Sequence, residues 1–133
     1  MNTHVFIKYY VPFEEAIELK NLGFEEETYE YYTPSGGRYT DEAGSDNFNQ
    51  YNGCWGIASY AQAFSFFREK FNLEGTVMSW TEGGKTVWYF SDEPVGKPNI
   101  YRGYVCTAEK FEIAQLKCLQ DLINKVKKLC ETE

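Results

Sequence analysis

Glu25, Glu26, Glu27, Glu30, Asp41, Glu42 and Asp46 crowd one short stretch, and Tyr29, Tyr31, Tyr32 and Tyr39 are interleaved with them. Two chemistries follow from those residue types. Paired carboxylates do general acid–base work when two are held ~5–9 Å apart in a cleft; a Glu run just past a helix is otherwise a solvated bend. Tyrosines beside acids make binding patches, because a phenol ring gives large contact area at little cost in entropy. The same tyrosines could instead be core. Alternation on a strand then turns Tyr29 and Tyr31 inward and Tyr32 outward, and the sequence leaves both readings open.

Other reactive residues are sparse. His4 is the single histidine and has no fixed Asp or Ser partner from which to build a nucleophilic triad. The four cysteines and that histidine lack the paired spacing of a zinc site, so no metal and no cofactor are expected. Cys118 and Cys130 lie on one expected helix, about 18 Å apart at ~1.5 Å per residue, too far to pair. Cys54 and Cys106 could meet, but reduced, idle thiols are the better reading. Gly83-Gly84-Lys85-Thr86 looks like the tail of a phosphate-binding loop. Ser79 stands where that motif needs its first glycine, and β-formers follow where it needs a helix. A hairpin turn is the better account.

The acids are unevenly spread. From Pro12 to Asn47 ten acids face Lys20 and Arg38, a balance of −8, whereas the whole 133-residue chain carries −7. Net acidity disfavours nucleic acid and anionic membrane as partners. No apolar run approaches ~20 residues, and Met1–Tyr10 lacks the apolar region of a signal peptide, so a soluble, cytoplasmic protein is expected. At this length one domain is the simplest reading, and an aromatic content of 18% supplies much of its burial.

These side chains need elements to position them. Thr3–Tyr10 reads as a strand. Pro12 suits the first turn of a helix with Phe13, Ala16, Ile17 and Leu19 on its apolar side. Gly23 stops it in the left-handed conformation, with Phe24 folding back on Leu19. Thr28–Thr33 is strand-like, and Pro34-Ser35-Gly36-Gly37 turns the chain so that Arg38-Tyr39-Thr40 pairs back. Asp41–Gly56 is a loop of about sixteen residues, long for a compact domain, with Phe48, Tyr51 and Trp55 pinning it. Ser59 and Gln62 form a capping box for a helix over Ser59–Asn72, whose Tyr60, Phe64, Phe67 and Phe71 give one buried face. Gly75–Thr81 and Thr86–Phe90 flank a tight turn, with Trp80 opposite Val87 and Met78 opposite Tyr89. Asn99–Cys106 is a third strand. Thr107 then caps a helix with an apolar stripe of Phe111, Ala114, Cys118, Leu119, Leu122, Ile123, Val126 and Leu129.

Two resemblances rest on these stretches. YVPFEEAIELKNLGF, YEYYT, SYAQAFSFFREKFNL, the Trp/Tyr hairpin and the closing amphipathic helix resemble, in order, a family of small uncharacterised proteins encoded by gut bacteria and their phages. That family has no assigned activity, so the likeness implies origin on a mobile element. The order helix–strand–strand–strand–helix from Ser59 to Leu129 is similar to the double-stranded-RNA-binding fold. Such domains place a basic cluster at the start of their second helix. Here Thr107-Ala108-Glu109-Lys110-Phe111-Glu112 has one lysine between two acids, which removes the phosphate clamp.

The expected fold is α+β: an antiparallel sheet of three or more strands packed on helices. Residues 1–133 form one domain, with 1–56 an acidic, Tyr-rich part and 57–133 an α-β-β-β-α core. The expected function is non-catalytic binding. A phage or mobile-element accessory factor would engage a host protein or small ligand through Tyr31, Tyr32, Tyr39, Asp41, Glu42, Tyr51 and Trp55. The rivals are a small carboxylate-dependent hydrolase and an RNA binder of double-stranded-RNA-domain shape. No nucleic acid or membrane partner is expected, and the sequence does not specify the oligomeric state.

Overall fold

Gly23 sets the entry into the first sheet. In the computed structural model, which describes residues 9–98, 102–104 and 111–131, helix α1 (Phe13–Asn21) follows Pro12 and buries Glu15, Ala16 and Leu19. Gly23 has φ +98°. Its amide donates to the Lys20 carbonyl at 3.0 Å, and the Phe24 amide donates to the Leu19 carbonyl at 2.9 Å. That is the expected glycine stop, and Phe24 and Leu19 are both fully buried.

The fold is α+β, with two antiparallel sheets of three strands each. The chain divides into two compact units, residues 1–63 and 64–133. In the first unit β1 (Glu30–Tyr32) is central, between β2 (Arg38–Thr40) and β3 (Trp55–Gly56). The β1–β2 hairpin pairs Glu30 with Thr40, Tyr31 with Tyr39 and Tyr32 with Arg38. Its turn closes through Thr33 N–H to the Gly37 carbonyl (3.0 Å) and Gly36 N–H to the Thr33 carbonyl (2.8 Å), with Gly36 at φ +84°.

The stretch Asp41–Gly56 is more ordered than a loop. Asp46 bridges to Thr28, Phe48–Gln50 is a 3₁₀ turn, and Trp55–Gly56 is the strand β3 that the sequence reading missed. Two polar side chains hold it. The Asn49 carboxamide donates to the Phe24 carbonyl and accepts from the Gly56 amide, both at 2.8 Å. Lys20 Nζ donates to the Tyr51 and Cys54 carbonyls at 2.7 and 2.8 Å and lies over the Trp55 ring.

Helix α2 (Tyr60–Phe71) starts at the expected capping box: Ser59 Oγ accepts from the Gln62 amide, and Gln62 Oε1 accepts from the Ser59 amide. Its buried residues are Tyr60, Ala63, Phe66 and Phe67. This corrects the expected stripe, since Phe64 and Phe71 are only half-buried. Adjacent Phe66 and Phe67 stack edge to face and both meet Phe71, which a single-file stripe could not represent. Asn72, at φ +59°, ends the helix.

In the second unit β4 (Thr76–Glu82) and β5 (Lys85–Ser91) form the expected hairpin. Trp80 is opposite Val87 and Met78 opposite Tyr89, with Gly83 and Gly84 at positive φ. Gly83-Gly84-Lys85-Thr86 is thus a turn and the start of a strand. β5 also pairs with β6 (Arg102–Tyr104), so the order is β4-β5-β6. Helix α3 (Phe111–Glu131) buries Ala114, Cys118, Leu119, Leu122, Ile123 and Val126 as expected; Phe111 meets the edge of Trp88, whereas Leu129 is exposed. Glycine at position 75 lets the chain pass between Phe64 and Leu122, where an added Cβ would lie 3.0 Å from each. The expectations for His4, Cys106 and Thr107 lie outside the described residues, as does most of the strand expected over Thr3–Tyr10.

Candidate functional site

Tyr29 and Tyr32 sort in the opposite sense to the one expected, while Tyr31 is half-buried. Tyr32 is buried (4% exposed) and Tyr29 is open (78% exposed). Tyr32 packs on Phe13 with ring centroids 5.2 Å apart and donates its hydroxyl to the Val11 carbonyl at 2.8 Å. Those two partners, far from it in sequence, decide which face of the strand is inside. Burial pushes the Tyr32 phenol up to about 12 from an ordinary value of 10.0. Tyr32 is therefore core and leaves the candidate contact surface.

The other expected site residues fall into two groups. Tyr31 and Tyr39 meet across the β1–β2 hairpin at 6.2 Å between centroids, and Tyr31 also packs on buried Phe48 at 4.7 Å. Phe48 accepts the Tyr51 amide, and the Tyr51 hydroxyl donates to Asp46 Oδ2 at 2.9 Å. That bond, then the charges of Asp46 and Asp41, hold the Tyr51 phenol above its ordinary value. Asp41 and Glu42 are exposed, with Asp41 Oδ1 accepting the Ala43 amide. Tyr39 and Tyr51 are 53% and 47% exposed. Tyr31, Tyr39, Asp41, Asp46 and Tyr51 thus form one linked acidic–aromatic face, with exposed Glu42 beside Asp41 in sequence. Trp55 belongs elsewhere: it is half-buried, edge-on to Phe13 and under Lys20.

A groove of about 540 Å³ lies in the same unit. Glu27 and Glu30 line it, together with Tyr10 and Tyr29. Ile57 and Thr28, both buried, contribute further lining, and Thr40, Ser59 and Gln62 bring hydroxyls and a carboxamide. Hydrogen bonds fix these walls. Gln62 Nε2 donates to the Glu27 carbonyl at 3.0 Å, and the Ile57 amide and the Thr28 hydroxyl both donate to the Glu30 carbonyl. Among the described residues no hydrogen bond or ion pair reaches the side-chain carboxylate of Glu27 or Glu30. None of the residues expected to bind lines this groove. Ser59 and Gln62 were legible only as a helix start. Tyr10 and Ile57 gave no signal, because their place depends on the Tyr10–Ser59 bridge and on β3.

The remaining chemistry is quiet. Cys54, Cys118 and Cys130 are free thiols. Burial pushes the Cys118 thiol up to about 12, with the Asp92 charge adding to it, so at neutral pH it keeps its proton and is no nucleophile. Lys125 is bonded to the fully buried Asp92 carboxylate at 2.7 Å. Among the described residues no three His, Cys, Asp or Glu side chains are placed to hold a metal, and no helix is long and apolar enough to cross a membrane. Comparison of the chain with protein-family models, curated proteins and solved structures returned no match.

Proposed function

We propose that this chain is a non-catalytic binding protein whose acidic, tyrosine-bearing face engages a positively charged partner, a host protein or a small ligand. The observation that carries this reading is that Tyr39 and Tyr51, each about half exposed, are held in place beside Asp41 and Asp46. Fixed aromatic area beside unneutralised charge is how binding surfaces combine contact with steering. Acid–base catalysis is less well supported. Glu27 and Glu30 line one groove, but Glu27 is exposed, and a general acid needs an environment that separates its proton affinity from that of its partner. A cytoplasmic role as a phage or mobile-element accessory factor is supported by the likeness of the helix and turn phrases to proteins of gut bacteria and their phages.

Capture from a bacterial lysate by the tagged chain tests the reading, with Tyr39→Ala and Asp41→Asn/Glu42→Lys as variants. Asparagine keeps the acceptor for the Ala43 amide while removing the charge. The variants should lose basic partners that the parent retains, and the parent's yield should fall as salt rises through the range where the Debye length shrinks below ~10 Å. The melting temperature should stay within a few degrees. Duplex RNA should show no gel shift at ~150 mM salt, because that affinity depends on neutralising phosphates. Undiminished capture by both variants refutes the proposal.

A further inference from the structure

The groove beside β1 has a composition that the acidic–aromatic face does not share. Its two carboxylates, Glu27 and Glu30, carry no internal hydrogen bond or ion pair among the described residues. Among the described residues, no lysine or arginine lines the groove. Tyr10 and Tyr29 line the same space, and Tyr29 is left 78% exposed by the fold. Ring faces and carboxylates attract the same kind of ligand, a cation with an organic body. The groove is also prebuilt. Gln62 is fixed by the capping box and by its bond to the Glu27 carbonyl, while the Glu30 carbonyl accepts both the Ile57 amide and the Thr28 hydroxyl. The main chain of the walls is therefore already in place, and occupancy has only the Glu27, Glu30 and Tyr29 side chains to order. At about 540 Å³ the space suits an alkyl chain with a charged end rather than a bare ion.

We infer that this groove is a binding site for an organic cation, an alkyl ammonium or guanidinium group, held by Glu27 and Glu30 and covered by the Tyr10 and Tyr29 rings. The same chemistry has two sources: a free amine, or the end of a lysine or arginine side chain on a basic peptide. The site shares no lining residue with the Asp41–Glu42 face, so each reading can fail without the other.

Amide chemical shifts of the ¹⁵N-labelled chain, followed on titration to ~20 mM ligand, a range that reaches millimolar affinities, provide the test. The ligands are pentane-1,5-diamine, the peptide acetyl-Gly-Lys-Gly-amide, and pentane-1,5-diol as the uncharged counterpart. Saturable shifts confined to Thr28, Thr40, Ser59 and Gln62 are expected for the two cations and not for the diol. Glu27→Gln/Glu30→Gln should weaken binding at least about ten-fold, since removing a charge-assisted hydrogen bond has an effect of that size or larger. Tyr29→Ala should weaken it several-fold, and Asp41→Asn/Glu42→Gln should leave it unchanged. Whichever cation binds tighter, diamine or peptide, identifies the source and supports the site. No saturable shift with either cation, equal binding of the diol, or indifference to Glu27→Gln/Glu30→Gln overturns it. All of these substitutions are at exposed or half-buried positions, and the unperturbed remainder of each spectrum verifies that the variant is folded.

Discussion

Deleting a single oxygen at Tyr32 should measurably weaken the first unit. The hydroxyl donates to the carbonyl of Val11, a residue with no exposed surface. Tyr32→Phe keeps the ring against Phe13 but removes that donor, so the carbonyl loses its bond from the phenol in a place water does not reach. A lost hydrogen bond plus the desolvation of its orphaned partner amounts to roughly 1–3 kcal/mol. Tyr32→Ala removes the ring as well and should cost about 3–5 kcal/mol, as for other large aromatic truncations. At about 3–5 °C per kcal/mol for a chain of this size, the Phe variant should melt roughly 3–15 °C low.

The same hydroxyl sets a pH dependence. Burial raises the folded Tyr32 phenol to about 12; Arg38 works against the shift, and Glu30 and Glu15 add to it. The unfolded phenol ionises near its ordinary value of 10.0. Between those values the unfolded chain has released a proton that the folded chain still holds, so unfolding becomes easier as pH rises. The contribution of Tyr32 is complete below pH 10 and decays toward pH 12, by about 2–3 kcal/mol in all. Thermal melts of parent and Tyr32→Phe at pH 8, ~10 and ~11.5 test this, and the gap between the two curves should narrow with pH. A Phe variant that melts with the parent at pH 8, or a gap that stays constant to pH ~11.5, refutes the reasoning.

Lys125→Met removes the 2.7 Å ion pair to the fully buried Asp92 carboxylate and should cost roughly 2–4 kcal/mol. Adding Asp92→Asn should restore part of that in urea titrations, and additive losses in the double variant would show that the two groups are not coupled. On α2, Phe67→Ala should destabilise by about 3–5 kcal/mol, because Phe67 is fully buried and meets both Phe66 and Phe71. Half-buried Phe64 should lose clearly less on the same change, and calorimetric melts that rank the two the other way would contradict the revised core face.

What the sequence made legible was local. The glycine stop at Gly23, the Ser59–Gln62 capping box and the Gly83-Gly84 turn each depend on residues within a few positions of one another, and each formed as read. The stripe of α3 was readable for a related reason, since a helix of 21 residues repeats its pattern often enough to fix a face. β1 has only three residues, with tyrosine on both sides, so alternation alone could not say which side was buried. The choice came from Val11 and Phe13, whose positions no pattern within β1 encodes. β3 was hidden for the same reason: two residues, Trp55 and Gly56, pair with β1 only because Asn49 and Lys20 fasten the stretch before them.

The fate of Lys20 also bears on the acidity of the N-terminal third. A lysine amid ten acids is expected to neutralise some of them, yet its ammonium bonds two main-chain carbonyls and covers an indole. It closes the Asp41–Gly56 stretch instead of pairing with those acids. Glu25, Glu27, Glu30 and Glu42 accordingly have side-chain carboxylates without hydrogen bond or ion pair among the described residues. Charges that repel one another add nothing to the stability of the unit that carries them. The cationic partner proposed above would account for their retention beside ordered phenol rings. Folding uses Lys20 to shape the surface, and exposed Tyr39 and Tyr51 are left in the same unit as exposed Asp41 and Glu42.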